Sequence, residues 1–98
     1  MTVSTRAEGD TITIRVRGRF DFAVHQAFLE AYRDEPKGER KFVVDLADTE
    51  YMDSSAMGML LQLRGHARSD GVIELRNGNE GVKEVLRIAN FDKLFTVA

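Results

Sequence analysis

The sequence predicts one α/β domain, residues 1–98, in which helices pack on a mixed sheet of four to five strands. Apolar and polar residues alternate strictly over residues 11–17, which is the pattern of a strand with one buried face. Three later segments carry apolar residues three and four positions apart, which predicts helices. The expected order is therefore β-β-α-β-α-β-α-(β), with parallel crossovers after an opening hairpin.

Breaking and capping residues delimit the expected elements. Gly18 would end the second strand, and Asp21 and Asn79 would be the N-caps of the first and third helices. Pro36 and Asp70-Gly71 would stop the first and second helices. The expected bounds, in chain order, are strands at 3–7 and 11–17, a helix at 21–38, a strand at 41–46, a polar loop at 47–53, a helix at 54–71, a strand at 72–76, a helix carrying 82–89, and an edge strand or packed tail at 90–98.

The core is expected where apolar helix faces meet a central strand. The run from Phe42 to Leu46 is interrupted only by Asp45, which predicts a strand covered on both faces. The predicted helix faces are Val24, Ala27, Phe28, Ala31 and Tyr32; Ala56, Leu60, Leu63 and Ala67; and Val82, Val85, Leu86 and Ala89.

Composition narrows the function classes. The net charge is −2, from 14 basic and 16 acidic residues, and no polybasic segment occurs, so nucleic acid and anionic membrane are not expected partners. The chain has no cysteine, which removes thiolate metal sites and fits a reducing compartment. No apolar run is long enough to cross a bilayer. We expect a soluble cytoplasmic protein.

The residues offer little support for catalysis. A reactive serine needs a base within hydrogen-bond reach. His66 lies eleven residues beyond Ser55 on the same predicted helix, roughly 16 Å along its axis. His25 lies on another predicted helix, and the sequence leaves open whether it contacts Ser55. Both histidines are expected at exposed helix positions. No phosphate-binding glycine motif occurs, so a phosphoryl donor would have to come from another protein. We expect no enzyme activity and no cofactor.

Acidic residues raise two further alternatives. Asp45, Asp48, Glu50 and Asp53 surround one predicted loop, where a hard cation could bind. A solvated acidic loop is the commoner explanation, and no metal is expected. Asp45 also follows a buried strand, as phosphoacceptor aspartates of receiver domains do, but the first strands lack the pair of acids that those domains carry.

The segment YMDSSAMGML, residues 51–60, contains an acid and a serine pair before an apolar helix. Ser54 is expected to be the N-cap, with Asp53 favoured by the helix dipole. Ser55 would then lie in the first turn, near free backbone N–H groups that can accommodate a phosphate. The residues alone leave a structural cap and a regulatory phosphorylation site as alternatives.

The segment VVDLADTEYMDSSAMGMLLQL, residues 43–63, resembles the signature of STAS domains, the fold of bacterial anti-sigma factor antagonists. GRFD at 18–21 is similar to the short motif that follows the second strand in that family, and residues 77–95 are similar to its last helix and tail. Two positions depart from the pattern: Ala56-Met57 replaces the usual Gly-Leu, and Glu80 stands where a proline often opens the last helix.

The resemblance implies a partner switch. Such a protein binds a serine kinase/anti-sigma factor of the histidine-kinase-like ATPase type while it is unphosphorylated. Phosphorylation of the second serine, here Ser55, breaks the complex, and a PP2C-type phosphatase restores it. By match, Asp53 and Asp21 would lie beside Ser55.

The partner surface is expected to include the helix face that starts at Ser55, with Met57 or Met59 as an adaptable apolar contact and at least one of these methionines in the core. Asp53, Ser54 and Asp21 are expected to support the phosphosite and this interface. The alternative is a scaffolding or ligand-sensing STAS module in which the serines only cap a helix.

Overall fold

The computed structural model describes residues 2–36, 38–67 and 73–98. Within these ranges the strands are β1 (Val3–Glu8), β2 (Thr11–Val16), β3 (Gly18–Phe20), β4 (Lys41–Asp45), β5 (Thr49–Met52), β6 (Glu74–Arg76) and β7 (Thr96–Val97). The helices are α1 (His25–Glu30), α2 (Ser54–His66) and α3 (Glu80–Ile88), and 3-10 turns form at Phe22–Val24 and Phe91–Lys93.

Five of these strands form a mixed sheet in the order β1-β2-β4-β6-β7. The β1–β2 hairpin is antiparallel, and β2–β4, β4–β6 and β6–β7 are parallel. The hairpin turns at Gly9, whose φ of +61° lies in the left-handed region that glycine adopts without steric cost. The predicted mixed α/β sheet, its opening hairpin and its last edge strand are confirmed.

Two strands form a small separate sheet that the sequence did not predict. β3 and β5 pair in parallel, so the expectation of a polar loop at 47–53 was wrong for Thr49–Met52. The second strand ends at Val16, and Gly18, with a φ of +77°, begins β3 instead of ending the extended run. Thr49 and Met52 are buried while the two residues between them are exposed. Because burial does not alternate from residue to residue along it, this strand lacks the period-two pattern by which a strand is predicted.

The first helix is shorter than predicted. The chain enters it through the 3-10 turn at Phe22–Val24, which Asp21 caps by accepting from the Ala23 N–H at 3.0 Å. The α-helical part ends at Glu30, and turns carry the chain on to Pro36. Of the predicted face, Val24, Phe28 and Tyr32 are buried and Ala31 is partly buried, but Ala27 is exposed. The packing side was therefore right for four of its five residues, although the predicted length was wrong.

The other helices bury the faces that their spacing predicts. The α2 stripe of Ala56, Leu60, Leu63 and Ala67 is buried. In α3, Val82 and Leu86 are buried, while Val85 and Ala89 pack partly exposed against the core. Asn79 caps α3 by accepting from the Val82 N–H at 2.8 Å, as expected. The α2 helix ends at His66 and Ala67 is already extended, so the predicted helix at 54–71 was too long. Asp70, Gly71 and the predicted strand residue Val72 themselves lie outside the described residues.

The core lies between the five-stranded sheet and the helices. Phe20, Phe28, Tyr32 and Phe42 form a chain of ring contacts with centroids 5.1 to 6.1 Å apart. Such contacts hold α1 firmly against β3 and β4. Among the described residues, no helix is both long enough and apolar enough to span a membrane.

Candidate functional site

The β3–β5 pair places two aspartates at one edge of the molecule. Phe20 and Met52 are register partners at the ends of these parallel strands, and Asp21 and Asp53 follow them directly. Both aspartates have extended backbones, with φ, ψ of −139°, −171° and −127°, −173°. Each carboxylate then caps the helical segment that begins after it. The strand pairing therefore brings together two residues that lie 32 positions apart.

The N-cap of α2 is Asp53, so the expectation that Ser54 caps this helix was wrong. The Asp53 carboxylate accepts from the backbone N–H groups of Ser55 at 3.0 Å and Ala56 at 3.3 Å. Ser54 is the first helical residue and its side chain is exposed. Because β5 runs through Met52, Asp53 is the residue left in extended conformation next to the free N–H groups, and the helix starts immediately after it.

Ser55 is half-buried, and its hydroxyl donates to Asp53 Oδ1 at 2.5 Å. This bond lowers the pKa of Asp53 below its usual range. Partial burial of the carboxylate raises the pKa, but the N–H groups of Ala56 and Ser55 and the charge of Arg19 lower it further. Asp53 is therefore an anion that orients the Ser55 side chain, and the hydroxyl faces the start of α2 in one defined rotamer.

Arg19 completes the site, and the sequence reasoning missed it. Its Nε lies 3.2 Å from Asp21 Oδ2, and its Cζ lies 4.1 Å from the centre of the Tyr51 ring. Arg19 and Tyr51 are register partners on β3 and β5. The signal was present in GRFD, because an arginine beside an inward-facing Phe20 points outward in a strand. It could not be used without knowing that residues 49–52 form the neighbouring strand.

The two methionines have different surroundings. Met59 is buried, which confirms that at least one of them belongs to the core. Met57 is only partly buried and packs against the core from the surface of α2. Met57 can therefore offer part of its side chain to a partner, two residues beyond Ser55.

Neither histidine is positioned as a base for Ser55. His66 Nε2 lies 2.6 Å from the Glu35 carbonyl oxygen, and its ring packs against Tyr32 at 5.2 Å. His25 stacks on Phe22 at 5.1 Å. Both are half-buried, so the expectation of exposed positions was wrong. Among the hydrogen bonds of the described residues, none joins Ser55 to a histidine.

Asp45, the residue considered as a receiver-type acceptor, belongs to a structural network. It accepts from Arg15 Nη2 at 3.0 Å, the Ala47 N–H at 3.0 Å and Asn77 Nδ2 at 3.2 Å. Burial alone would raise the pKa of Asp45, but these donors together hold the pKa below its usual range. In the described part of the chain no three acidic or histidine side chains gather as metal ligands would.

Comparison with known proteins gives the chain a family. The model of the family described as "Mlab, STAS domain" matches residues 3–96. A STAS-domain containing protein of Pseudomonas aeruginosa, strain UCBPP-PA14, is 43% identical over 99 residues, which cover 100% of this chain and 98% of that protein.

Solved structures show the same fold at lower identity. A candidate anti-sigma factor antagonist of Thermotoga maritima has a TM-score of 0.83 at 23% identity, covering 97% of this chain and 84% of that one. The anti-sigma factor antagonist SpoIIAA in its unphosphorylated form scores 0.74 at 22% identity, covering 98% and 87%. The phosphorylated form of Bacillus SpoIIAA scores 0.66 at 18%, covering 98% and 90%.

The mixed sheet and the Asp53-capped helix agree with these matches. Because the family model covers residues 3–96 and the Pseudomonas protein is similar along the full chain, the chain belongs to the STAS domain family.

Proposed function

We propose that this protein is a phosphorylation-regulated partner switch of the anti-sigma factor antagonist kind. It binds a serine kinase/anti-sigma factor of the histidine-kinase-like ATPase type while Ser55 is unmodified, and phosphorylation of Ser55 releases it. A PP2C-type phosphatase restores the binding form. The protein acts in the cytoplasm and serves as the substrate of these enzymes, with no catalytic role of its own.

The hydrogen bond from Ser55 to Asp53 carries the proposal. It holds the hydroxyl in one rotamer at the first turn of α2, on an edge of the molecule that a kinase can reach. Phosphorylation replaces the proton of the Ser55 hydroxyl, so the resulting ester oxygen can no longer donate to Asp53 and this bond is lost. It also adds about two negative charges beside the Asp53 carboxylate, which repels them. Modification of one residue thus changes the charge of the surface that includes Ser54 and Met57.

The comparisons supply the analogy for this proposal. SpoIIAA, an anti-sigma factor antagonist, has been solved in unphosphorylated and phosphorylated forms, and both resemble this fold. A fold that exists in both forms in a structural relative supports a switch that acts on the surface and leaves the fold intact.

The alternative is a scaffolding or ligand-sensing module in which Ser55 only completes the helix cap. The half-burial of Ser55 is the observation that favours this alternative, because a purely structural serine would pack in the same way. The two functions differ in whether Ser55 is ever modified.

Phosphosite mapping by mass spectrometry, after incubation with an anti-sigma factor kinase and ATP, separates them. We expect one phosphate on Ser55 in the wild type, none in Ser55→Ala, and unchanged labelling in the matched control Ser54→Ala. Affinity capture should recover the kinase with Ser55→Ala and lose it with Ser55→Asp. Labelling at Ser54, or the same partners on wild type, Ser55→Ala and Ser55→Asp, would contradict the proposal.

A further inference from the structure

Arg19 pairs with Asp21 and lies over Tyr51, two residues before Asp53, with most of its hydrogen-bonding capacity unused. We propose that Arg19 is a positioning residue for the phosphorylated state, in which its guanidinium exchanges Asp21 for the phosphate on Ser55. This inference rests on the proposed phosphorylation of Ser55 and names the side chain that would respond to it.

The present contacts of Arg19 are few and easily exchanged. Its side chain is 65% exposed, and it meets Asp21 through Nε alone at 3.2 Å. Across the described residues, its two terminal nitrogens make no hydrogen bond. Asp21 is in turn already occupied, because its other oxygen accepts from the Ala23 N–H. An exposed ion pair of this kind is weak, and a stronger anion can displace it.

The location of Arg19 puts Ser55 within its electrostatic range. The guanidinium lies over the Tyr51 ring, two residues before Asp53, and its charge already lowers the pKa of Asp53. The same carboxylate accepts the Ser55 hydroxyl at 2.5 Å through Oδ1. A phosphate on that hydroxyl would therefore enter the field of the same cation.

The chemistry of the three groups favours the exchange. A phosphate near pH 7 carries about two charges and three acceptor oxygens, against one charge on Asp21. The planar fork of arginine binds phosphate through two parallel N–H donors, which Arg19 still has available. Asp53 repels the phosphate, so the Arg19 cation is the group that can hold it near the start of α2.

The exchange would alter a surface that we call the β3–β5 rim, formed by Arg19, Asp21 and Tyr51. Asp21 would lose its counter-ion, and the guanidinium would change its position relative to the Tyr51 ring. The exposed Phe22 lies beside Asp21 on the same edge. A partner that docks on this rim would meet a different arrangement of charge and aromatic surface after phosphorylation.

The test uses the full chain with phosphoserine installed at position 55 during translation, so it needs no kinase. The phosphate is titrated by ³¹P NMR in the wild-type background, in Arg19→Gln and in Arg6→Gln. Arg6→Gln removes the same charge from the far end of the β1–β2 hairpin, where Arg6 meets only Glu8 at 3.9 Å among the described residues.

We expect the second pKa of the phosphate to be about 0.5 unit higher in Arg19→Gln than in the wild-type background, because a nearby cation favours the dianion. Arg6→Gln should match the wild type, and Arg19→Lys, which keeps the charge without the fork, should fall between. The Tyr51 ring resonances should shift on phosphorylation in the wild type and stay constant in Arg19→Gln, with buried Tyr32 as the internal reference.

Equal phosphate titrations in the wild type, Arg19→Gln and Arg19→Lys would overturn the role of Arg19. Such a result would leave the kinase labelling of Ser55 untouched. Conversely, a kinase that fails to label Ser55 contradicts the proposed function but does not alter this titration, so the two failures are distinguishable.

Discussion

Asp53 does two things with one carboxylate. It accepts the first free N–H groups of α2, and it accepts the hydroxyl of Ser55. The residue that begins the helix is therefore also the residue that orients the proposed phosphoacceptor. Serine and aspartate are equally good N-caps, so the choice between Asp53 and Ser54 depended on where β5 ends.

Replacing Ser55 by alanine should raise the pKa of Asp53 towards its usual value. The Ser55 hydroxyl is the largest cause of the lowered pKa, and alanine removes it. Carboxyl ¹³C shifts followed against pH measure this directly. Ser54→Ala is the matched control, since Ser54 makes no contact with Asp53 among the described hydrogen bonds. An unchanged Asp53 pKa in Ser55→Ala, or an equal rise in Ser54→Ala, would contradict the assignment.

Between secondary-structure elements, the small β3–β5 sheet depends on contacts with the main sheet. The buried Thr49 hydroxyl donates to the Val16 carbonyl oxygen at 2.7 Å, and the Gly18 N–H donates to the Asp48 carbonyl oxygen at 2.9 Å. The first bond joins the end of β2 to the start of β5, and the second joins the start of β3 to the residue before β5. The positions of Asp21 and Asp53 follow from that junction.

Replacing Thr49 by valine should lower the free energy of unfolding by about 1 kcal/mol, because valine matches the shape of threonine but leaves the Val16 carbonyl without this donor. Urea unfolding of the purified protein measures the change. Thr13→Val makes the same chemical change on β2, where the described structure gives the hydroxyl no hydrogen-bond partner. If both variants are equally stable, the Thr49 bond does not support the junction.

Across the fold, the carboxylate of Asp45 links three parts of the main sheet. Arg15 comes from β2, Asp45 ends β4, and Asn77 follows β6. Only 12% of the Asp45 side chain is exposed, and no buried side-chain polar atom in the described residues lacks a partner. Hydrogen bonds to a charged acceptor contribute more than bonds to a neutral one, so neutralising Asp45 weakens all three of these contacts.

Stability should therefore fall on acidification. Asp45 and Asp53 both have lowered pKa values in the folded protein, so each contributes stability above its unfolded pKa of about 3.9. That contribution is lost as the pH falls through the folded pKa. Asp45→Asn should cost about 2 kcal/mol at neutral pH and should flatten the loss below pH ~4. Urea midpoints measured from pH 6 to pH 3 test this, and a parallel decline in wild type and variant would contradict it.

Local patterns were sufficient for most of the fold. Alternation placed Ile12, Ile14 and Val16 on the buried face of β2, and helical spacing placed Leu60 and Leu63 in the core. Both patterns act over a few neighbouring residues, and burial of apolar surface is the dominant force that they record. The same is true of the Asn79 cap. The choice of Ser55, Asp53 and Asp21 as candidate site residues came from the resemblance to STAS domains, and their function stays a prediction.

The remaining features depend on contacts between distant segments. Residues 49–52 became a strand only because residues 18–20 lie beside them, and His66 became half-buried because Tyr32 packs against it. Because of the same pairing, the N-cap of α2 is Asp53 instead of the expected Ser54, and Arg19 lies at the site. Short strands have little propensity of their own, so pairing across more than 30 residues of chain decides them, and no local pattern records that pairing.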